Sequence, residues 1–570
     1  MKKINALVFL VASLMMPGTY AKPKKSTTHT NSYHKRFGVI FKKATTNKKP
    51  LFIASGIACI TGVSAALYWT YTPKNEPTDT APAPAIQPDV AGKKQARKKP
   101  HPILTKQSNH NTDLVNYTIP LVERYAEVEN IPFDTVEDVK EHINKIIKEK
   151  PVLDKIIGAL FGMIIGDATG APLEFLPIQN IGSHKFELSQ NKHISPHPSF
   201  NLKPGQWTDD ASMGLAMADS IIENNEFDGT DIRLRFWAWW HNGYCNAFGN
   251  DTKNVDKRSI GLGGNIGESL NEVYKKLKKG EPISPTHLSP GENNNSGNGS
   301  LMRLVPIVLF CHQNQEDCLA YAEQSSWTTH PGYDASESCK LLAYIIFRSI
   351  QRTKEESKQT TKEWLEQVLN DYQTTCLTKL QNVSNETKKA KENKNSLNSA
   401  KEKINRLINA SEDKNGKEAN WNWKVSHTEY TNNIVRAFNT RNTSNLYNGH
   451  PVSSTYWGSY AIDGIAGGIN GVYNATNFGE AIANTANLLG DADSTASIGG
   501  QMAGAIYGIK NLLDAYPKLF DQVYQWDKGR SVIRAILLAD EKRLNKHIQK
   551  LQSSKKPIKL EPFLTTFSTK

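Results

Sequence analysis

Apolar periodicity begins at about residue 112, and from 136 onward apolar residues recur at i, i+3 and i+4, the spacing that lays one face of a helix against a core. The pattern predicts helices over 136–150, 155–166, 211–223, 231–240, 266–278, 301–310, 316–325, 335–351, 461–473, 478–489 and 496–507. Alternating runs of strand type are scarce, so the fold class is all-α. Residues 353–425 break the rhythm with sequence rich in Lys, Glu, Asn and Thr, such as NVSNETKKAKENKNSLNSAKEK. That composition reads as a solvated surface insertion, helical or disordered, and predicts that excising 380–415 leaves activity intact.

The N-terminal pattern is different. Lys2 and Lys3, the apolar run Ile4–Met16 and a small-residue exit at Ala21 form a secretory signal peptide over 1–21. A basic arm follows at 22–50. Leu51–Tyr71 then runs 21 residues without a charge, between Lys48 and Lys49 on one side and the aromatic group Tyr68, Trp69 and Tyr71 on the other. Length and flanks predict a transmembrane helix. A Pro/Lys-rich linker at 72–111, a helical lead-in at 112–150, a main domain at 151–545 and a basic tail at 546–570 complete the organisation.

The formal charge of +13 suggests nucleic acid until it is located along the chain. Residues 1–100 hold 17 Lys/Arg against 3 Asp/Glu, whereas residues 101–570 hold 52 against 53. The main domain is therefore nearly neutral, and the basic arm beside the span points to a membrane, with no nucleic-acid partner. The nine Lys/Arg in 22–50 favour a cytoplasmic arm and an external domain. Cleavage after Ala21 would instead leave the domain inside. Six cysteines without a CxxC pair read as reduced thiols and tilt the localisation of this membrane-anchored chain toward the cytoplasm.

Two acidic clusters carry the candidate chemistry. Thr208, Asp209 and Asp210 in GQWTDDASM, and Asp491, Asp493 and Ser494 in LLGDADSTAS, each follow a glycine-containing turn and open a small-residue helix. Carboxylates in such positions serve as helix caps. Together they also form an all-oxygen set for hard divalent cations, and no His/Cys set with zinc spacing competes. Glycines at spacings of four, Gly158, Gly162 and Gly166, then Gly464 and Gly468, then Gly500 and Gly504, each cost roughly 1 kcal/mol of helix propensity relative to alanine. Close approach of helix backbones recovers that cost.

Six segments, GALFGMIIGDATGAPLEF (158–175), GQWTDDASM (205–213), SIGLGGN (259–265), NNSGNGSLMRLVPI (294–307), THPGYDA (329–335) and the stretch from AIDGIAGGINGVY to GDADSTASIGGQMAGAIYG (461–508), occur in the order seen in the ADP-ribosylglycohydrolases. The chain resembles that family, which includes the dinitrogenase-reductase-activating glycohydrolases, over roughly 150–515. The resemblance implies a mostly helical domain with two Mg²⁺ or Mn²⁺ ions in its cleft. Thr208, Asp209 and Asp210 would bind one, and Asp491, Asp493 and the residue at 494 the other. The family usually has Thr where this chain has Ser494, which keeps the hydroxyl but loses the methyl that restricts its rotamers. Glu174 matches a family glutamate on a flap that covers the metals and can contact one of them. Asp167 reads as a structural acid.

The glycine-rich loops fit the rest of such a substrate. Gly261, Gly263 and Gly264, with Asn295, Gly297, Asn298 and Gly299, offer backbone N–H groups to a diphosphate. His330 matches a family position near the distal ribose and phosphates, and Arg303 reads as a structural ion-pair partner. The resemblance thus implies a hydrolase that removes ADP-ribose from a modified protein side chain or a small ADP-ribosyl compound. Its metals would bind the ribose 2′- and 3′-hydroxyls, with Glu174, Asp209 and Asp493 as catalytic carboxylates and Asp209 or Asp493 as the base. The catalytic domain is expected to be monomeric. Two other readings stand beside this one: a catalytically silent ADP-ribose-binding module, and a two-metal phosphohydrolase.

Overall fold

A computed structural model describes residues 134–540, apart from 199, 249–258, 293–294, 378–387, 411–420, 445, 448–449 and 452–455. The expected signal peptide, arm, span, linker and tail lie outside these residues, as does 112–133 of the lead-in. The described helices run in chain order as α1 (Val136–Glu149), α2 (Val152–Gly170), α3 (Asp209–Asn224), α4 (Gly229–Asn242), α5 (Gly264–Lys279), α6 (Val305–Phe310), α7 (Gln315–Trp327), α8 (Tyr333–Ile350), α9 (Thr361–Tyr372), α10 (Lys388–Ile408), α11 (His427–Ser444), α12 (Ala461–Tyr473), α13 (Phe478–Ala486), α14 (Ala492–Ala515), α15 (Pro517–Asp527) and α16 (Arg530–Ala539). Two small antiparallel hairpins, pairing Lys185–Glu187 with Lys192–Ile194 and Leu446–Tyr447 with His450–Pro451, are the sheets among the described residues. The fold is mostly helical, as the periodicity predicts.

Helix α2 is apolar on every side and buried from Ile156 to Gly170, which places it at the centre of the core. Val152–Leu173 is also the one described helical stretch long and apolar enough to cross a membrane, but nearly all of it is buried inside the protein. Its glycines explain its partner. A Cβ at Gly158, Gly162, Gly166 or Gly170 would collide with the backbone at Gly504, Gly500, Ala496 or Ala492, so α2 and α14 run antiparallel with their backbones in contact. Such an approach allows Cα–H···O contacts and dispersion along the whole seam, which offsets the weak helix propensity of glycine. Its consequence is positional: the end of α2, which leads to Glu174, meets the start of α14, which carries Asp491 and Asp493.

Helix α3 is tied in at its far end by a buried ion pair. Asp219 accepts from Arg534 Nε at 2.7 Å and Nη2 at 3.0 Å, and from Tyr244 OH at 2.7 Å. That bond network joins α3 to α16 and fixes the axis along which its N-terminus projects.

The charged insertion departs from expectation. Ala400, Ile404, Leu407 and Ile408 of α10 are buried, and Trp421 and Trp423 beyond it are almost fully enclosed. Trp423 Nε1 donates to Leu407 O at 2.8 Å, Trp421 Nε1 donates to Asp463 at 2.8 Å on α12, and Lys403 Nζ reaches Asp334 Oδ2 at 2.6 Å. The polar composition of 388–408 hides an apolar stripe at spacings of three and four, and that stripe docks on the core. This part of 353–425 belongs to the fold and is not a solvated appendage.

Candidate active site

Asp167, in the last turn of α2, organises the first cluster. Its carboxylate accepts from Thr208 N at 2.9 and 3.0 Å, from Thr208 Oγ1 at 2.9 Å and from Ala211 N at 2.9 Å. It thereby satisfies the open N–H groups of α3, whose own N-cap residue Thr208 makes no side-chain cap bond. Asp209 and Asp210 are left projecting from the first turn. Thr208 Oγ1 also lies 3.3 Å from both Asp210 Oδ2 and Asp493 Oδ2, so the two sequence clusters meet directly.

Carboxylate oxygens of Asp167, Asp210 and Asp493 fall within 4.8 Å of one another, and so do those of Glu174, Asp491 and Asp493. Asp493 belongs to both groups. Asp167 therefore does more than its structural reading predicts: it caps α3 and shares a cluster. Asp209 stands beside these groups, under Gly261, whose φ of +89° and missing Cβ let the loop lie directly on the Asp209 carboxylate.

These five acids and Asp209, six in all, are 7 % exposed or less. The ion pairs of the described residues lie elsewhere, as at Arg534–Asp219 and Lys403–Asp334. Asp210 Oδ1 and Glu174 Oε2 are buried with no hydrogen-bond partner. Burial pushes every one of the six upward, and for all but Asp167 the neighbouring carboxylates push further. Asp493 rises to about 6, Asp167 to about 7 and Asp491 to about 8. Glu174, Asp209 and Asp210 are held well above the ordinary carboxylate range. Buried, crowded and partly unsatisfied oxygens of this kind fit hard divalent cations.

Glu174 reaches the cluster from a latched segment. Phe175 N donates to Gly490 O at 2.8 Å, and Gly490 N donates to Leu176 O at 3.0 Å. Tyr456 OH donates to Glu174 Oε1 at 3.1 Å. Tyr456 is a site residue that the sequence reading missed, and no periodicity or motif distinguishes it from the other aromatics nearby. At the other cluster Ser494 N donates to Asp493 Oδ1 at 2.8 Å, and the Ser494 hydroxyl faces Met302 Sδ at 3.6 Å while lowering the Asp491 carboxyl through a hydrogen bond. The Thr495 hydroxyl, next along, is buried without a partner.

The loop around Asn298 packs against the carboxylates, whereas Gly263 and Gly264 are exposed. Asn298 Nδ2 donates to Asp491 Oδ2 at 2.9 Å and to Gly458 O at 3.0 Å, which makes its side chain a brace for that carboxylate. Gly297 pairs with Tyr460 in an isolated antiparallel bridge, and Asn295 O accepts from Gly332 N at 3.1 Å. His330 lies beneath this loop, with its ring filling the space a Cβ would need at Gly297 and Gly299. It is 2 % exposed, bonds Thr329 Oγ1 through Nδ1 at 2.7 Å, and is held neutral by burial and by Arg303. Gly263 caps α5, and Gly264 at its first position has nothing within 4 Å of where a Cβ would stand. Arg303 is structural, but its partners are the hydroxyls of Thr328 and Thr329 and the face of Phe236 at 4.4 Å, not a carboxylate.

The helical bundle thus gathers glycine-rich loops around buried carboxylates that could hold a hard cation. The family model for ADP-ribosylglycohydrolase matches residues 148–550. The chain belongs to the ADP-ribosylglycohydrolase family and is a glycosidic-bond hydrolase. It is 27 % identical over 373 residues to the ADP-ribosylarginine hydrolase Tri1 of Serratia proteamaculans, covering 64 % of this chain and 75 % of that protein. It is 24 % identical over 199 residues to the ADP-ribosyl-[dinitrogen reductase] glycohydrolase of Rhodospirillum rubrum, covering 35 % and 59 %. Among solved structures it is similar to a chain of an ADP-ribosylglycohydrolase-related protein complex, with a TM-score of 0.44, 20 % identity, and coverage of 68 % of this chain and 99 % of that one.

Proposed function

We propose that the protein hydrolyses the N-glycosidic bond between ADP-ribose and arginine in modified proteins, using two Mg²⁺ or Mn²⁺ ions. The observation that carries this reading is five buried carboxylates in two groups that share Asp493, with Asp209 beside them. The arginine linkage is taken from the Serratia relative, whose match extends over most of the domain. Asp167, Asp210 and Asp493, with Thr208, would hold one ion, and Glu174, Asp491 and Asp493 the other. The ions would supply positive charge and Lewis acidity beside the ribose hydroxyls.

The chain's own groups then divide the work. Asp493, common to both groups, would help to hold both ions. Asp209, in neither group and lying under the Gly261 turn, is the carboxylate left to take a proton from the attacking water. Asn298 keeps Asp491 in place, and the Tyr456 hydroxyl keeps Glu174 turned inward. Surrounding carboxylates stabilise positive charge at C1′ as the bond to the guanidino nitrogen lengthens. Incubation of the purified protein with Mn²⁺ and an ADP-ribosylated arginine substrate should release free ADP-ribose. Release of AMP would favour a phosphohydrolase, and tight ADP-ribose binding without turnover would favour a silent binding module.

Cation binding should also show in stability. In a metal-free sample the three acids at about 6, 7 and 8 prefer the protonated form when folded. Their raised values add stability at low pH that is lost as pH climbs from the unfolded carboxylate range through the folded one. In EDTA the melting temperature is expected to fall as pH rises from about 5.5 to about 8, and Mn²⁺ should reverse the fall. A flat profile unmoved by Mn²⁺ would count against a cation site here.

A further inference from the structure

Phe175 is 48 % exposed, the most open of the large apolar side chains among the described residues, and it directly follows Glu174. Its backbone takes a φ of +65°, which is costly for a residue with a Cβ. The two hydrogen bonds to Gly490 hold that conformation, so the segment accepts backbone strain while leaving an aromatic ring in water. The ring is not loose. It stacks on Tyr456 with centroids 5.4 Å apart and planes at 23°, and packs on Phe200 at 5.9 Å. Tyr456 connects this aromatic group to the site, since its hydroxyl is bonded to Glu174 Oε1.

An exposed π face attracts cations, and a planar guanidinium best of all, because it stacks as well as pairs. The chemistry beneath agrees: Glu174 and its neighbours Asp491 and Asp493 form a cluster of carboxylate oxygens, the acceptors a guanidinium at its edge would pair with. We infer that Phe175, backed by Tyr456, is the platform that receives the arginine side of the substrate and sets its preference for a guanidinium-linked acceptor. This rests on the arginine linkage proposed above and adds a specificity residue to it.

The test compares Phe175→Leu, which keeps apolar bulk but removes the π face, with Phe175→Tyr, which keeps it. With ADP-ribosylarginine as substrate, Phe175→Leu should raise KM by roughly three- to tenfold with kcat little changed, in line with a cation–π contact. Phe175→Tyr should stay near wild type. Inhibition by free ADP-ribose, which lacks the guanidinium, should be the same in all three proteins. Unchanged KM in Phe175→Leu overturns the platform while leaving the hydrolase intact, and so does weakened ADP-ribose inhibition that tracks the rise in KM. Failure of the wild type to cleave the arginine conjugate sinks the functional reading and this inference together.

Discussion

Asp493→Asn is expected to lower turnover by roughly two orders of magnitude or more and to weaken cation binding at the same time. Asp493 is the carboxylate shared by both acidic groups, and it rests 3.3 Å from Thr208 Oγ1, the hydroxyl that Asp167 anchors. An amide keeps the shape but removes the charge and turns one oxygen into a donor facing other oxygens. Asp209→Asn should behave differently. Its turnover should fall on a similar scale, since it removes a proton acceptor worth about 10²–10⁴, whereas its Mn²⁺ titration should stay close to wild type. Titration calorimetry beside steady-state kinetics separates the two. Equal loss of Mn²⁺ affinity in both variants would show that Asp209 is also a ligand, and near-normal turnover in both would remove the carboxylates from the chemistry.

Excision of residues 388–408 is expected to destroy the folded domain. Burial of each Leu or Ile side chain is worth roughly 1.5–3 kcal/mol, and α10 buries Ile404, Leu407 and Ile408 together. The loss approaches the whole margin of about 5–15 kcal/mol that keeps a domain folded. It also strands Trp423 Nε1, which donates to Leu407 O, and leaves Asp334 without its contact to Lys403. The deletion variant should appear in the insoluble fraction, or lack a cooperative melting transition by circular dichroism. A soluble variant with native helical signal and full activity would restore the reading of this segment as a surface appendage.

The contrast between α10 and α2 shows what can be read from a one-dimensional pattern. In α2 every position from Ile156 to Gly170 except Asp167 is small or apolar, so its burial is visible at once, and glycines at spacings of four announce a close helix neighbour. In α10 lysine, asparagine and glutamate outnumber the buried residues, and composition masks the stripe at 400, 404, 407 and 408. Average polarity measures the exposed face; whether the other face has a partner is decided elsewhere in the chain.

The sequence by itself determined the helical class, the two acidic clusters and their placement at helix starts, because those follow from local periodicity, turn residues and side-chain chemistry. Six ordered segments also carried the family. The tertiary structure alone decided how these parts combine. The antiparallel contact of α2 with α14 brings Glu174 to Asp491 and Asp493, and the cap that Asp167 provides to α3 makes that apparently structural acid a neighbour of Asp210 and Asp493. It likewise spends the Asn298 amide on Asp491, tucks His330 beneath the glycine loop, and hands Glu174 to Tyr456. Each of these is a contact between groups distant in sequence. Local propensity fixes what a residue can donate, accept or bury, while the partner it finds depends on which backbones approach closely enough to meet.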